Sequence, residues 1–193
     1  MSATVEAPGK TWTEAELQAL PEDGYIHEVV NGELVMSPKN NFYHGDICSE
    51  LLTAMRLFVK KNRLGAILDS STGFWMKNQN CRAADISFVS RARLQALGFK
   101  RSASTFFPGA PDLAVEILSP NSTRTEMDER LRDFFASGTR VAWLIDPEAE
   151  RAEICHSLTR RELVGSGGFL EGEDLLPGFR YPIAELFAKG DWE

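Results

Sequence analysis

The run from Asp112 to Leu118 reads Asp-Leu-Ala-Val-Glu-Ile-Leu, and it constrains this chain more than any other stretch. Apolar residues at nearly every position mark a strand covered on both faces, as in the parallel interior of an α/β sheet. Side chains alternate across a strand, so Asp112, Ala114, Glu116 and Leu118 share one face while Leu113, Val115 and Ile117 share the other. A carboxylate at Glu116 therefore costs several kcal/mol unless it is paired, hydrogen-bonded or bound to a metal. Two partners fit that need: a buried arginine, with Arg82 and Arg130 as candidates, or a cation. Asp85 heads a strand over residues 84–89 and can bring a second carboxylate beside Glu116. Two oxygen ligands, completed by waters and a phosphate, suit an octahedral magnesium ion.

The flanking segments set this strand in an α/β frame. Ser119-Pro120-Asn121 stops it, and residues 123–137 form an amphipathic helix with Met127, Leu131, Phe134 and Phe135 on its apolar stripe. Gly138 closes that helix, and residues 140–145 form a second buried strand, which makes a βαβ unit with a parallel pair. Upstream, Thr13 caps a short helix within residues 11–20. Residues 25–30 and 33–37 flank Asn31-Gly32, a type I′ hairpin signal. Residues 44–61 follow helical period, with Ile47, Cys48, Leu51, Leu52, Met55, Phe58 and Val59 on one stripe and His44 turned inward. Strands over 66–71 and 73–77, a short helix over 91–97, a meander over 151–164 and a last helix near 183–187 complete one domain. Residues 1–10 read as a flexible lead.

Composition narrows the chemistry. Three cysteines and three histidines lie far apart with no CxxC pair, which argues against a disulfide framework and a thiolate zinc site. Cys48, on an apolar stripe, reads as a small buried hydrophobe. Trp75, Trp143, Phe106, Phe107 and Phe134 read as core or subunit contacts. A bound metal would be held by oxygen, which favours Mg2+ or Mn2+. No apolar run reaches the roughly 18 residues of a membrane span, and no secretory signal opens the chain, which points to the cytoplasm. The net charge of −7 counts against a protein that grips nucleic acid over a broad surface. A nuclease needs only a local basic rim, for which Lys60, Lys61, Arg63, Arg91, Arg93, Lys100, Arg101 and Arg124 are the candidates.

An ordered set of motifs carries a family resemblance. It comprises Glu22-Asp23-Gly24, Asn31-Gly32-Glu33-Leu34, His44 at a helix start, Ala84-Asp85-Ile86-Ser87-Phe88-Val89, Pro111 to Pro120 around Glu116, Trp143-Leu144-Ile145-Asp146-Pro147, and Leu176-Pro177-Gly178-Phe179. Together they resemble the Uma2 family, formerly DUF820, of restriction endonuclease-like proteins. The resemblance implies a PD-(D/E)xK core, a central mixed sheet flanked by helices, with an N-terminal hairpin and a C-terminal meander. It further implies a magnesium-dependent endonuclease acting on DNA, with Asp85 and Glu116 as metal ligands and Glu33 and His44 in support.

Three departures from the family pattern matter. Ala84 stands where proline usually precedes the aspartate, and Leu118 stands where the general nuclease motif has lysine. The family places a lysine on the following helix, and Arg130 matches that position. Arg130 lies about 40° outside the apolar stripe, so its guanidinium can reach the sheet. Arginine binds phosphate bidentately but cannot act as a general base. The alternative is a nuclease-fold interaction protein impaired in catalysis. The edges of a mixed sheet and the aromatic loop near Phe106 are compatible with a homodimer.

Overall fold

The computed structural model describes residues 3–4, 11–21, 23–38, 40–101 and 103–190. The apolar run forms strand β9 (Leu113–Ile117), buried at every position. Helix α4 (Arg124–Ser137) follows, opened by a capping box between Thr123 and Glu126 and closed at Gly138, whose φ of 120° suits glycine. Strand β10 (Val141–Asp146) then returns parallel to β9, with Leu144 opposite Glu116, so the expected βαβ unit is present.

Around this pair stands a six-stranded mixed sheet. Strand β7 (Ile86–Ser90) runs antiparallel to β9, and β4 (Gly65–Asp69) lies outside it. On the other side β10 pairs with β11 (Arg151–Cys155), and β11 with β12 (Arg161–Val164). The order is β12-β11-β10-β9-β7-β4. Helix α2 (Phe42–Asn62), capped by Asn41, packs Ile47, Leu51, Met55 and Val59 against Ile67, Phe88, Val115 and Trp143. Leu131 and Phe134 of α4 join Val89, Ala114 and Leu144 in a second cluster. Odd and even positions of β9 therefore feed two separate cores, as strand alternation requires.

The N-terminal hairpin departs from expectation in its setting. Strands β2 (Ile26–Val30) and β3 (Glu33–Ser37) turn through Asn31 and Gly32, both at positive φ (53° and 84°). They belong to a second six-stranded sheet, in which β1 (Ala3–Thr4), β5 (Phe74–Trp75), β6 (Cys81–Arg82) and β8 (Phe107–Pro108) complete the order β1-β3-β2-β6-β5-β8. There are thus two mixed sheets rather than one central sheet with an appended hairpin. Two-residue strands have no alternation to read, so the second sheet left no periodic signal. For the same reason the strand expected over 73–77 shrinks to Phe74–Trp75.

The other elements are α1 (Glu14–Gln18), α3 (Arg91–Ala96), a two-stranded sheet of β13 (Phe169–Glu171) with β14 (Arg180–Pro182), and α5 (Ile183–Leu186). The flexible lead expected over 1–10 falls outside the described residues except for β1. Phe106 stacks on Trp75 at 6.4 Å and packs on the hairpin's cluster, while Trp143, Phe107 and Phe134 are core. Among the described residues no helix is long and apolar enough to cross a membrane.

Leu131, fully buried between α4 and the sheet, tests how tightly that helix is held. Leu131→Ala should lower unfolding free energy by about 2–5 kcal/mol, read as a shift in urea midpoint.

Candidate active site

The two sheets and helices α2 and α4 enclose a cleft of about 730 Å³ at the C-terminal end of β9. The pairing of β7 with β9 runs through Ser87 opposite Ala114 and Ile86 opposite Val115; one step further sets Asp85 beside Glu116. Asp85 Oδ2 accepts the Ile117 amide hydrogen at 2.8 Å and lies 3.2 Å from His44 Nε2. That nitrogen is also 3.1 Å from the Ile117 carbonyl oxygen. Both neighbours are acceptors, so Nε2 carries the proton and His44 orients Asp85.

Arg130 reaches the sheet from α4. Its Nε and Nη2 donate to Glu116 Oε1 at 3.0 and 2.9 Å, its Nη1 to Glu28 Oε2 at 2.6 Å, and its Nη2 to the Ala83 carbonyl at 2.7 Å. Four of the five guanidinium hydrogens are thereby used. Of the two partners weighed for Glu116, Arg130 is the arginine that pairs with it. Arg82 turns instead to Asp133, donating from Nε and Nη2 at 2.9 and 2.7 Å, and lies 3.5 Å from Glu28 Oε2. Asn78 and Asn80 also donate to Asp133, which fixes Arg82 in the cleft wall. Asp112, the other acid of the run, sits at the opposite end and accepts the Ser90 amide at 2.7 Å with Arg93 nearby.

Burial pushes the Glu116 carboxyl up to about 7 against the pull of Arg130, with Asp85 and Glu28 adding to the rise. Burial would also raise Glu28, but Arg130 and Arg82 outweigh it and hold that carboxyl below its usual range. Burial works against a charged His44, yet the bond to Asp85 and its charge lift His44 above the ordinary imidazole value. Burial, then Asp85, push the nearby Cys48 thiol to about 12, which leaves it inert as a nucleophile.

Asp85, Glu116, Arg130 and His44 thus meet at one cleft. Glu33 does not join them: it is exposed at the turn end of the hairpin, outside the cleft lining. Glu28 takes the place next to Arg130, with a side chain only 4% exposed, and it accepts the Ala83 amide hydrogen at 2.8 Å. Sequence reasoning missed it, although Ile26, Glu28 and Val30 share one strand face and the acid between two apolar residues is the same signal as Glu116. The expected basic rim is not there either. Among the described residues the lining holds Glu28, Asp85, Glu116, Glu126 and Glu129 against Arg82 and Arg130, with no lysine.

Among the described residues Asp85 Oδ1 and Glu116 Oε2 accept no hydrogen bond, and neither is among the buried polar atoms sealed without a partner, so both keep contact with the cleft that their residues line. Two such oxygens suit a hard cation that keeps most of its waters. Among the described residues no ready cage of three or more His, Cys, Asp or Glu side chains occurs.

Two substitutions test this network. Arg130→Ala strands Glu28 and Glu116 without their shared cation and should destabilise the fold by about 3–5 kcal/mol in chemical unfolding. Glu116 holds its proton more tightly folded than unfolded, so its contribution is present below 4.5 and lost as pH rises through about 7. Over that window the wild type should lose stability relative to Glu116→Gln; parallel pH–stability curves would contradict the shift.

The Uma2 family model, described as "Putative restriction endonuclease", matches residues 14–184. A crystal structure from Anabaena variabilis ATCC 29413, of "a putative nuclease belonging to DUF820", is similar with a TM-score of 0.78 and 22% sequence identity. The match covers 91% of this chain and 97% of that one. At that identity the likeness shows a common fold. No curated protein matches. With the model spanning most of its length and its motifs in order, the chain belongs to the Uma2 family of restriction endonuclease-like proteins.

Proposed function

We propose that this chain is a metal-dependent endonuclease that hydrolyses DNA phosphodiester bonds, with Asp85 and Glu116 holding Mg2+ or Mn2+. The observation that carries this reading is the pair of carboxylate oxygens, Asp85 Oδ1 just ahead of β7 and Glu116 Oε2 on β9, that have no partner among the described residues and line one cleft. A divalent ion held by Asp85 and Glu116 would supply Lewis-acid polarisation of a phosphate oxygen and a more acidic bound water.

The protein's own groups divide the remaining work. His44 and the Ile117 amide fix one oxygen of Asp85, which leaves the other for the ligand. Arg130 does the same for Glu116 and keeps one Nη1 hydrogen with which to meet a phosphate oxygen. It cannot take a proton from water, so it acts through charge and position. The excess of carboxylates repels a DNA backbone, which favours brief contact over tight binding.

A second reading, an interaction protein that has lost catalysis, is favoured by the same Arg130. A guanidinium with four of its hydrogens engaged is a poor mimic of a free lysine. The two readings part on metal binding and turnover.

Plasmid and single-stranded DNA, incubated across a Mg2+ and Mn2+ titration, should be cut by the wild type. Cleavage by Glu116→Ala should fall on the order of 100-fold or more, the scale set by losing a transition-state charge partner. Unchanged cleavage in Glu116→Ala, or none by the wild type with either metal, overturns the endonuclease reading. A Mn2+-dependent rise in Tm that Asp85→Ala abolishes counts against the interaction protein.

A further inference from the structure

We infer that a small pocket beside the cleft seats one unpaired base of the strand being cut, so that the substrate is single-stranded or locally unpaired DNA. The inference rests on the endonuclease reading above and names its substrate class. Two rows of side chains on the α4 face of the main sheet build the pocket floor. The first runs Glu116, Leu144, Glu153 across β9, β10 and β11, residues that stand opposite one another in register. Two residues further along the strands the second runs Leu118, Asp146, Arg151. Glu116 belongs to the cleft, and the other five line a pocket of about 130 Å³. The start of α4 completes it: Ser122, Thr123 and Met127 form a wall shared with the cleft, and Arg124 stands at the rim. Neighbouring strands lie about 4.8 Å apart, so the pocket begins one strand spacing from a carboxylate of the proposed metal site. A base likewise lies one sugar away from its own phosphate.

Size and chemistry select the occupant. Pockets that enclose a whole small molecule run to about 300–1,000 Å³, so this one takes a single ring system. Leu118, Leu144 and Met127 give it apolar faces. Its carboxylates are already engaged at every oxygen. Asp146 accepts from the Ala149 amide at 3.1 Å and Arg151 Nε at 3.2 Å, and Glu153 from Arg124 at 2.9 Å and Arg161 at 3.4 Å. A metal ion therefore finds no bare ligand there. Arg151 uses only its Nε, and among the described residues its two Nη groups have no partner, so the guanidinium can lie against a base or donate to its edge.

A paired base keeps its faces and its edge inside the duplex, and only an unpaired one can enter. The carboxylates of the cleft act in the same direction, since a duplex carries the denser phosphate charge. Leu118, which stands where the general nuclease motif has lysine, thereby serves the pocket. An ammonium at that position would replace the apolar floor beneath the base.

Fluorescence anisotropy of three labelled DNAs tests this, with Ca2+ as the divalent ion and intact strands checked on gels. They are an oligothymidylate, an abasic strand with the same number of phosphates, and a blunt duplex of the same length. The oligothymidylate should bind on the order of 10-fold tighter than the abasic strand, the scale of one stacked base, and tighter than the duplex. Arg151→Ala and Leu118→Ala should each shrink that ratio. Equal affinity for the two single strands, a duplex that binds as well as the oligothymidylate, or no binding at all overturns the inference. So does a ratio unchanged in either variant, which would leave Arg151 a phosphate contact only. Arg151→Ala, at a side chain 45% exposed, is judged alone should Leu118→Ala fail to fold. Metal-dependent cleavage of single-stranded DNA stays the separate measure of the endonuclease reading.

Discussion

A carboxylate in the middle of a strand buried on both faces must be compensated, and in this chain Glu116 is compensated through Arg130. The requirement reaches well beyond the two residues. Helix α4 has to return across β9 so that position 130 lies over the strand, which the β9-α4-β10 crossover between parallel strands provides. One glutamate cannot use a whole guanidinium, so Glu28 and the Ala83 carbonyl take the rest. Those two groups come from the second sheet and from the loop leaving β6. The ion pair is therefore what ties the hairpin sheet to the main one at the cleft, as the apolar cluster of Phe74 and Phe107 with Ala114 and Leu144 does elsewhere.

The same network sets the electrostatics of the site. Its acids outnumber its arginines, so burial and mutual repulsion raise Glu116 even while Arg130 holds it. A site in that condition attracts cations and repels phosphates. For a chain with net charge −7, a phosphodiester substrate would have to be met through a metal and a few fixed donors, not through a basic surface. The lysines and arginines that sequence alone offered as a rim lie elsewhere: Lys60 and Lys61 close the far end of α2, and Arg124 pairs with Asp128 and Glu153.

What the sequence disclosed follows the range of its local rules. Glu116 was legible because seven residues of strand pattern surrounded it, and Arg130 because helical periodicity over fourteen residues fixed its angle to the apolar stripe. The capping box at Thr13 and the Asn31-Gly32 turn were local and unambiguous. The second sheet was not legible, since four of its strands have two residues and gain their pairing from long-range contacts. Glu28 was hidden by a different cause. Its strand sets the acid between Ile26 and Val30 on one face but carries His27 on the other, so the run does not read as buried on both faces and nothing local says that the face of Glu28 is covered by the rest of the site. Glu33, one residue into the next strand, looked equivalent, but the hairpin register carries it to the turn end and out into solvent.

Arginine in place of lysine at position 130 is better understood through Glu28 than as decay of a motif. A lysine would satisfy Glu116 with one ammonium and leave Glu28, 4% exposed, without its strongest partner. Arg82 could not substitute, because Asp133 already takes its Nε and Nη2. Glu28 and the guanidinium form a matched set: the planar fork spans two carboxylates from two sheets and a carbonyl between them, and each acid is held in one orientation as a result. The cost is that the cation is no longer free to move with a substrate. What remains adjustable at the site lies on the side of Asp85 and Glu116, where the unengaged oxygens are.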